Sequence, residues 1–544
     1  MNRGKFIRTI ILSLISLIVC GTAIAQTEIV LKSQDISGGI NEYDRESLIA
    51  DNQSTVLKNA NIREGGIARK RDGCVEISGN TTASTVIALA NYYKLGDATK
   101  RLCVVYGTNM DVYNGTVWDD NVFTDLTCSG ALEMFTAGDY LWFVSPNMNT
   151  RAYNFTTLTE SGNSNGEAPQ CSAGIYHKGK VLLWGNGTYR DYLWWSATGP
   201  AMKDLMTFDQ ATNAHKIDSG DNQDLIAVLD YGMSGNEGLI ALKEKSTYYI
   251  DTSQADPADW SIVKLFNSGC VARRTAQKVG NDIYFLSRDG ATYKVKTISR
   301  TQYDTINIGN VPLSNPVSDL LADVSDVYIS NACAIFYDDY YILAFPSGTS
   351  AYNDKIIVYD TQKQSWIEYT GWYPSQFSTF VRSSVEELYF GQDKAFAEIF
   401  RAFSGTDDDG TAINYQEESK QWTFDAPEVT KNWKNIEFEF AGQGGHYSPE
   451  LYIKLDDGDW EQLLNSNGDV LDLYVVTPTL PIYLPFTLVT PGIIRQTYEI
   501  TEYGRGRGIK WKIVHNETGL SSDFERLGVY LRGWVNKQEW EGEK

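Results

Sequence analysis

The chain has 544 residues and a formal net charge of −22, with 33 Tyr, 21 Phe and 14 Trp. Its length calls for two or more domains, and its acidity excludes a broad nucleic-acid grip, which needs clustered Lys and Arg. Long Ala/Leu/Glu/Lys runs are missing, and 46 Gly stand against 14 Pro, so short strands and tight turns, an all-β class, are expected.

Arg3, Lys5 and Arg8 precede an apolar run from Thr9 to Cys20, and Ala23-Ile24-Ala25 forms an A-x-A pattern before Gln26. Those are the parts of a secretory signal peptide over residues 1–25, with an apolar run too short to span a bilayer. Val19 stands where a lipoprotein signal needs a small residue before Cys20. No later stretch qualifies as a membrane span. Six cysteines follow: Cys74, Cys103, Cys128, Cys171, Cys270 and Cys333. Export permits disulfides, but the cysteines sit mostly in apolar runs, and buried thiols are the simpler reading. No C-x-x-C occurs, so zinc and thioredoxin chemistry lack support.

Residues 26–79 form a polar lead with poor alternation, expected to be extended and wrapping rather than a packed layer. From 80 to 414 a strand–turn–strand pattern recurs. Its units are Arg101–Tyr106 with Met110–Tyr113, Gly138–Val144, Lys178–Trp184, Gly238–Leu242 with Thr247–Ile250, Asp282–Ser287 with Ala291–Val295, Asp339–Phe345 with Lys355–Asp360, and a weaker Glu387–Phe390. They start roughly 40–60 residues apart, the range of propeller blades. One blade cannot bury both faces alone, whereas blades stacked round an axis can. The turn Asp360–Ser365 before Trp366 fits a blade end. A six- or seven-bladed β-propeller is therefore expected; two consecutive sandwiches would space the units less regularly.

Over 415–544 the pattern changes. Ile436-Glu437-Phe438-Glu439-Phe440 alternates, and Tyr452–Leu455 runs into an Asp456-Asp457-Gly458 turn before Trp460. Ile509–Val514 and Arg526–Leu531 also read as strands with one wet face. A C-terminal β-sandwich is expected.

No catalytic, cofactor-binding or metal residue is assigned. His177, His215, His446 and His515 show no ligand or triad spacing, and H-E-x-x-H, G-x-S-x-G and Walker motifs are missing. Asp407-Asp408-Asp409-Gly410 lacks the twelfth-position Glu of a calcium loop and reads as a solvated loop. The acidic run Asp218–Asp224 likewise reads as a solvated loop, with a blade cap or a cation site as the alternative. Gly504-Arg505-Gly506-Arg507-Gly508 opens a strand rather than a helix, so it fails as a dinucleotide loop; its arginines suit a neighbour's carboxylate. A paired-carboxylate hydrolase site is not singled out.

Several segments together resemble the β-propeller proteins of tailed-phage virions, the packaged-DNA stabilisation and tail-nozzle proteins of short-tailed phages. In the lead these are Gly38-Gly39-Ile40-Asn41, Asp51-Asn52-Gln53, Leu57-Lys58-Asn59-Ala60, Gly65-Gly66 and Arg69-Lys70-Arg71-Asp72-Gly73. In the middle they are Lys243-Glu244-Lys245-Ser246-Thr247-Tyr248, Gly269-Cys270-Val271-Ala272-Arg273-Arg274 and Tyr284-Phe285-Leu286-Ser287-Arg288-Asp289-Gly290. Trp195–Gly199 and Gly504–Arg507 add weaker matches. The resemblance implies a non-enzymatic virion subunit without cofactor, in a homo-oligomeric ring with other tail or connector subunits, stabilising packaged DNA or extending the tail channel. DNA would pass through the lumen without specific contacts. Residues 1–25 depart from that group, whose members assemble in the host cytoplasm, and point to the periplasm or the cell exterior. The alternatives are a secreted bacterial binding propeller and, behind it, a propeller hydrolase.

Overall fold

The computed structural model describes residues 26–536 apart from 34, 78–84, 95–98, 127, 129–131, 200, 233–236, 301–305, 310, 393–397, 442–444, 466, 472, 476–492 and 519–523. The signal-peptide expectation for residues 1–25 lies outside them.

The protein is all-β and carries a β-propeller. Five four-stranded antiparallel meanders stand as separate sheets, beginning with Val86–Tyr93, Glu133–Ala137, Ala173–His177, Leu225–Asp230 and Gln277–Val279. A sixth separate sheet begins with Pro374–Arg382. Between the last two lies a further meander, Cys333–Tyr337 to Ser365–Tyr369, which continues outward into a larger sheet. Each strand–turn–strand unit of the sequence falls within one of these seven meanders. Their first strands line the axis and touch in succession; Leu225–Asp230 meets the next unit through the turn Arg273–Thr275, and Pro374–Arg382 returns to Val86–Tyr93. The blades are numbered 1 to 7 in chain order. Continuous apolar strands such as Leu239-Ile240-Ala241-Leu242, fully buried, arise because both blade faces are covered by neighbours.

The lead is built into the sheets. Strand β1 (Gln26–Ser33) pairs along its length with Glu525–Asn536. β2 (Gly39–Ile40) lies parallel to β3 (Gln53–Lys58), which bridges blade 6 to Tyr415–Ser419. β4 (Ala60–Ile62) and β5 (Ala68–Lys70) form a hairpin. β6 (Cys74–Glu76) pairs with Ile399–Ala402 and supplies the fourth strand of blade 7. The propeller is thus closed by a strand that precedes it in the chain. Leu57, Ala60, Lys70 and Arg71 are fully buried, which poor alternation had not suggested.

Closure centres on Arg71. Its guanidinium donates to both oxygens of Asp408 at 2.9 and 2.6 Å, to Asn59 Oδ1 at 2.9 Å and to the Thr370 carbonyl at 2.7 Å. Its carbon lies 4.7 Å from the Trp372 ring centroid. A planar bidentate pair between aromatic walls suits Arg and not Lys. Gly73 follows because a Cβ there would stand 1.8 Å from the Asp407 carbonyl oxygen.

C-terminal strands form two large sheets, besides a two-stranded pair of Gly445–Tyr447 with Leu473–Val475. One holds Lys431–Ala441, Ile493–Glu499 and Glu525–Asn536 with β1, β4 and β5; the other continues from blade 6 through β3 to Tyr415–Ser419, Ile509–His515 and Glu450–Leu455. Ile436, Phe438 and Phe440 of the first share one core with Leu451, Trp511 and Ile513 of the second. Arg526 joins the sheets by a fully buried 2.9 Å contact from Nε to Glu417 Oε2. Among the described residues, no helix is long and apolar enough to cross a membrane.

Candidate functional site

The propeller axis gathers the most chemistry. A cavity of about 500 Å³ opens where the chain enters the inner strands, lined by Ile87, Arg190, Asp224, Arg273, Arg274 and Ser375 among others. Its size is that of a small-molecule site, and far too small for a nucleic-acid duplex. A smaller cavity of about 190 Å³ continues between the inner strands and is also lined by Arg273, Arg274 and Glu133.

The arginines reach the axis because Gly269–Thr275 is pinned between blades 4 and 5. A Cβ at Gly269 would stand 2.0 Å from the Lys243 carbonyl oxygen, and the Cys270 amide donates to that same oxygen at 2.9 Å. Thr275 Oγ1 donates to the Ala272 carbonyl at 2.6 Å and accepts from the Leu286 amide at 3.2 Å. Tyr341 OH fixes the Thr275 carbonyl from blade 6 at 2.9 Å. The single turn Arg273–Thr275 then projects both guanidinium groups across the channel.

Both meet Glu133 of blade 2. Arg273 Nη2 and Arg274 Nε donate to its Oε2 at 2.9 and 3.3 Å. Arg274 Nη2 also donates to the carbonyls of Leu132 at 2.8 Å and Ile87 at 3.3 Å, and Nη1 to that of Ser375 at 3.4 Å. One side chain of blade 5 therefore ties blades 1, 2 and 7 together. Burial, opposed by Glu133 and reinforced by Arg274, holds the Arg273 guanidinium below its ordinary pKa. At the rim Arg190 pairs with Asp224 at 2.5 Å. Both carboxylates lining these cavities are thus engaged by arginine. The sequence had displayed Arg273 and Arg274 only as part of a matched motif, and nothing local marks Glu133, 140 residues away from its partner.

The other sequence candidates have structural roles. Asp408 is the Arg71 partner, so the loop Asp407–Gly410 is a closing contact rather than a solvated loop. In the run Asp218–Asp224, Asp218 accepts from Tyr248 OH at 2.6 Å, Asp221 from the buried Lys243 Nζ at 2.6 Å, and Asp224 from Arg190. No group of three or more His, Cys, Asp or Glu able to hold a metal occurs among the described residues. In Gly504–Gly508 the amides of Arg507 and Gly508 donate to Asp456 at 3.1 and 2.7 Å, while both arginine side chains are exposed. The six cysteines are free thiols; all but Cys128 are buried.

His177 has triad-like neighbours: Nδ1 lies 2.6 Å from Asp230 and Nε2 2.9 Å from Thr252 Oγ1. Thr252 is fully buried and donates to the Glu237 carbonyl at 2.8 Å, so its hydroxyl is closed to a substrate. His215 contacts the Pro257 carbonyl at 2.6 Å, and burial lowers its pKa. His515 lies 3.2 Å from Lys70 Nζ and stacks on Phe524. His446 lies in the strand Gly445–Tyr447; its side chain is outside the description.

No family model and no curated protein matches this chain. Among solved structures it is similar to BBS1N, crystallised in complex with ARL6DN, at 9% identity and a TM-score of 0.38, over 61% of this chain and 97% of that one. It is also similar to the β-propeller domain of Myceliophteria thermophila Cps50 (Swd1), at 10% identity and a TM-score of 0.36, over 60% and 98%. The N-terminal domain of Nup159 follows at 8% identity and a TM-score of 0.34, over 64% and 99%.

Proposed function

We propose that this chain is a structural virion protein of a tailed phage or prophage, a tail or connector subunit that stabilises packaged DNA or extends the tail channel. It acts without catalysis, as one copy in a homo-oligomeric ring beside other tail subunits. The observation that carries the reading is where the resembling segments lie. Arg69–Gly73 holds the strand that closes the propeller, and Gly269–Arg274 locks its axis. The residues that resemble the phage group are those on which this architecture depends.

On this reading DNA passes through a lumen between copies and not along the propeller axis, which Arg273, Arg274 and Glu133 fill. A net charge of −22 suits a surface that DNA slides past without releasing counterions. The two C-terminal sheets are the layers of a sandwich docked on blade 6.

The test is the mass in solution of the chain beginning at Gln26, by light scattering after size exclusion. A discrete oligomer supports the ring. A monomer at every concentration favours the second reading, a secreted binding propeller, for which the cavity of about 500 Å³ at the axis is the specific support.

A further inference from the structure

We propose that the axial cavity is a binding site for a small soluble anion bearing carboxylate or phosphate oxygens, with Arg273 as its principal contact. The inference goes beyond the virion reading and does not rest on it.

Charge at the cavity floor is unbalanced. Arg273 and Arg274 share a single oxygen of Glu133, which leaves one positive charge over. Arg190 and Asp224 cancel at the rim. A local excess of cation, in a chain of net charge −22, sits in a concave site whose volume matches small-ligand pockets. Low-dielectric walls strengthen such a field over that of an exposed arginine.

The two arginines differ in what they have left to offer. Arg274 directs Nε, Nη1 and Nη2 to protein oxygens. The Arg273 guanidinium makes one hydrogen bond among the described residues, through Nη2 to Glu133, and its side chain is 20% exposed. A guanidinium carries five N–H donors in a planar fork. An anion at the cavity floor would take the solvent-facing N–H donors of Arg273 and offset the repulsion from Arg274. Arg273 lines both axial cavities, so a ligand entering from the open mouth reaches it.

Calorimetric titration of the purified protein with citrate and, separately, inorganic phosphate tests this. Saturable binding at one site per chain is expected, weakening as salt is raised. Arg273→Gln is expected to weaken it tenfold or more, and Arg273→Lys to weaken it less. Glu133→Gln, which removes the competing carboxylate, is expected to tighten it severalfold. No saturable binding of either anion would overturn the proposal, as would binding that Arg273→Gln and Glu133→Gln leave unchanged. If Arg273→Gln does not fold, Glu133→Gln decides alone: tighter binding supports the site, and unchanged or weaker binding refutes it.

Discussion

Buried charge is held in place here by specific partners, and the residue scale is where that is most easily broken. Removing one member of a buried ion pair strands the other, at a cost of about 3–5 kcal/mol. Arg71→Ala should therefore lower unfolding free energy by about that much, measured by denaturant titration, because Asp408, 8% exposed in the pair, would lose its partner beside Trp372. Lys70 and His515 set a pH dependence. Burial and the neighbouring Lys70 lower the His515 pKa from its ordinary value to about 3, and burial lowers Lys70 to about 7. A depressed histidine stays neutral in the fold while the unfolded chain takes a proton, so its stabilisation is present above about pH 6.5 and is lost as pH falls toward 3. The same sign applies to Lys70, whose share grows as pH rises from 7 toward the ordinary lysine range. His515→Gln should flatten the fall in melting temperature between pH 6.5 and 4 relative to the parent; an unchanged slope would contradict this assignment. Thiol chemistry gives a third check. Burial raises Cys128 as it does Cys74, Cys103, Cys171 and Cys270, but Cys128 alone is only half-buried, so a thiol reagent should modify Cys128 first in the native chain and the others only on unfolding. The even number of cysteines from Cys74 onward had left disulfides open, and the structure decides for free thiols.

At the scale of elements, the propeller was legible because most blades carry an apolar second strand bounded by short turns. Arg101–Tyr106, paired with Met110–Tyr113, is one such strand. The alternation of Ile436, Phe438 and Phe440 likewise identified a strand with a buried apolar face, although Glu439 on the opposite face is buried too, held by Arg495 and Tyr530. What stayed hidden was non-local. β6 is three residues long and pairs with Ile399–Ala402, more than 300 positions on, and no periodicity marks so short a strand. The burial of the lead is also atypical, since Asn59, Lys70 and Arg71 are buried through hydrogen bonds and ion pairs, which hydropathy does not register. The closing strand makes its own prediction. Gly73→Ala places a methyl against the Asp407 backbone and should cost about 1–3 kcal/mol or more, whereas Gly65→Ala, with nothing within 4 Å, should cost only the left-handed backbone penalty of about 1 kcal/mol. Comparing the two melting temperatures separates closure from general backbone strain.

For the whole molecule, the lead acts as a strap that joins blade 6, both C-terminal sheets and blade 7, so propeller and C-terminal sheets should unfold together rather than as independent units. The axis is crossed by Arg273 and Arg274, so on the proposed virion reading any DNA passage would have to lie between chains. Arg71 and Asp408 stood in separate motifs of the sequence and Glu133 in none, and the role of each follows only from where the ring brings them. The virion reading is tested most directly in particles. Density-gradient fractions of particles shed by the source culture, probed with antiserum against this chain, should contain it in several copies per particle. Its presence only in the particle-free secreted fraction would contradict the account.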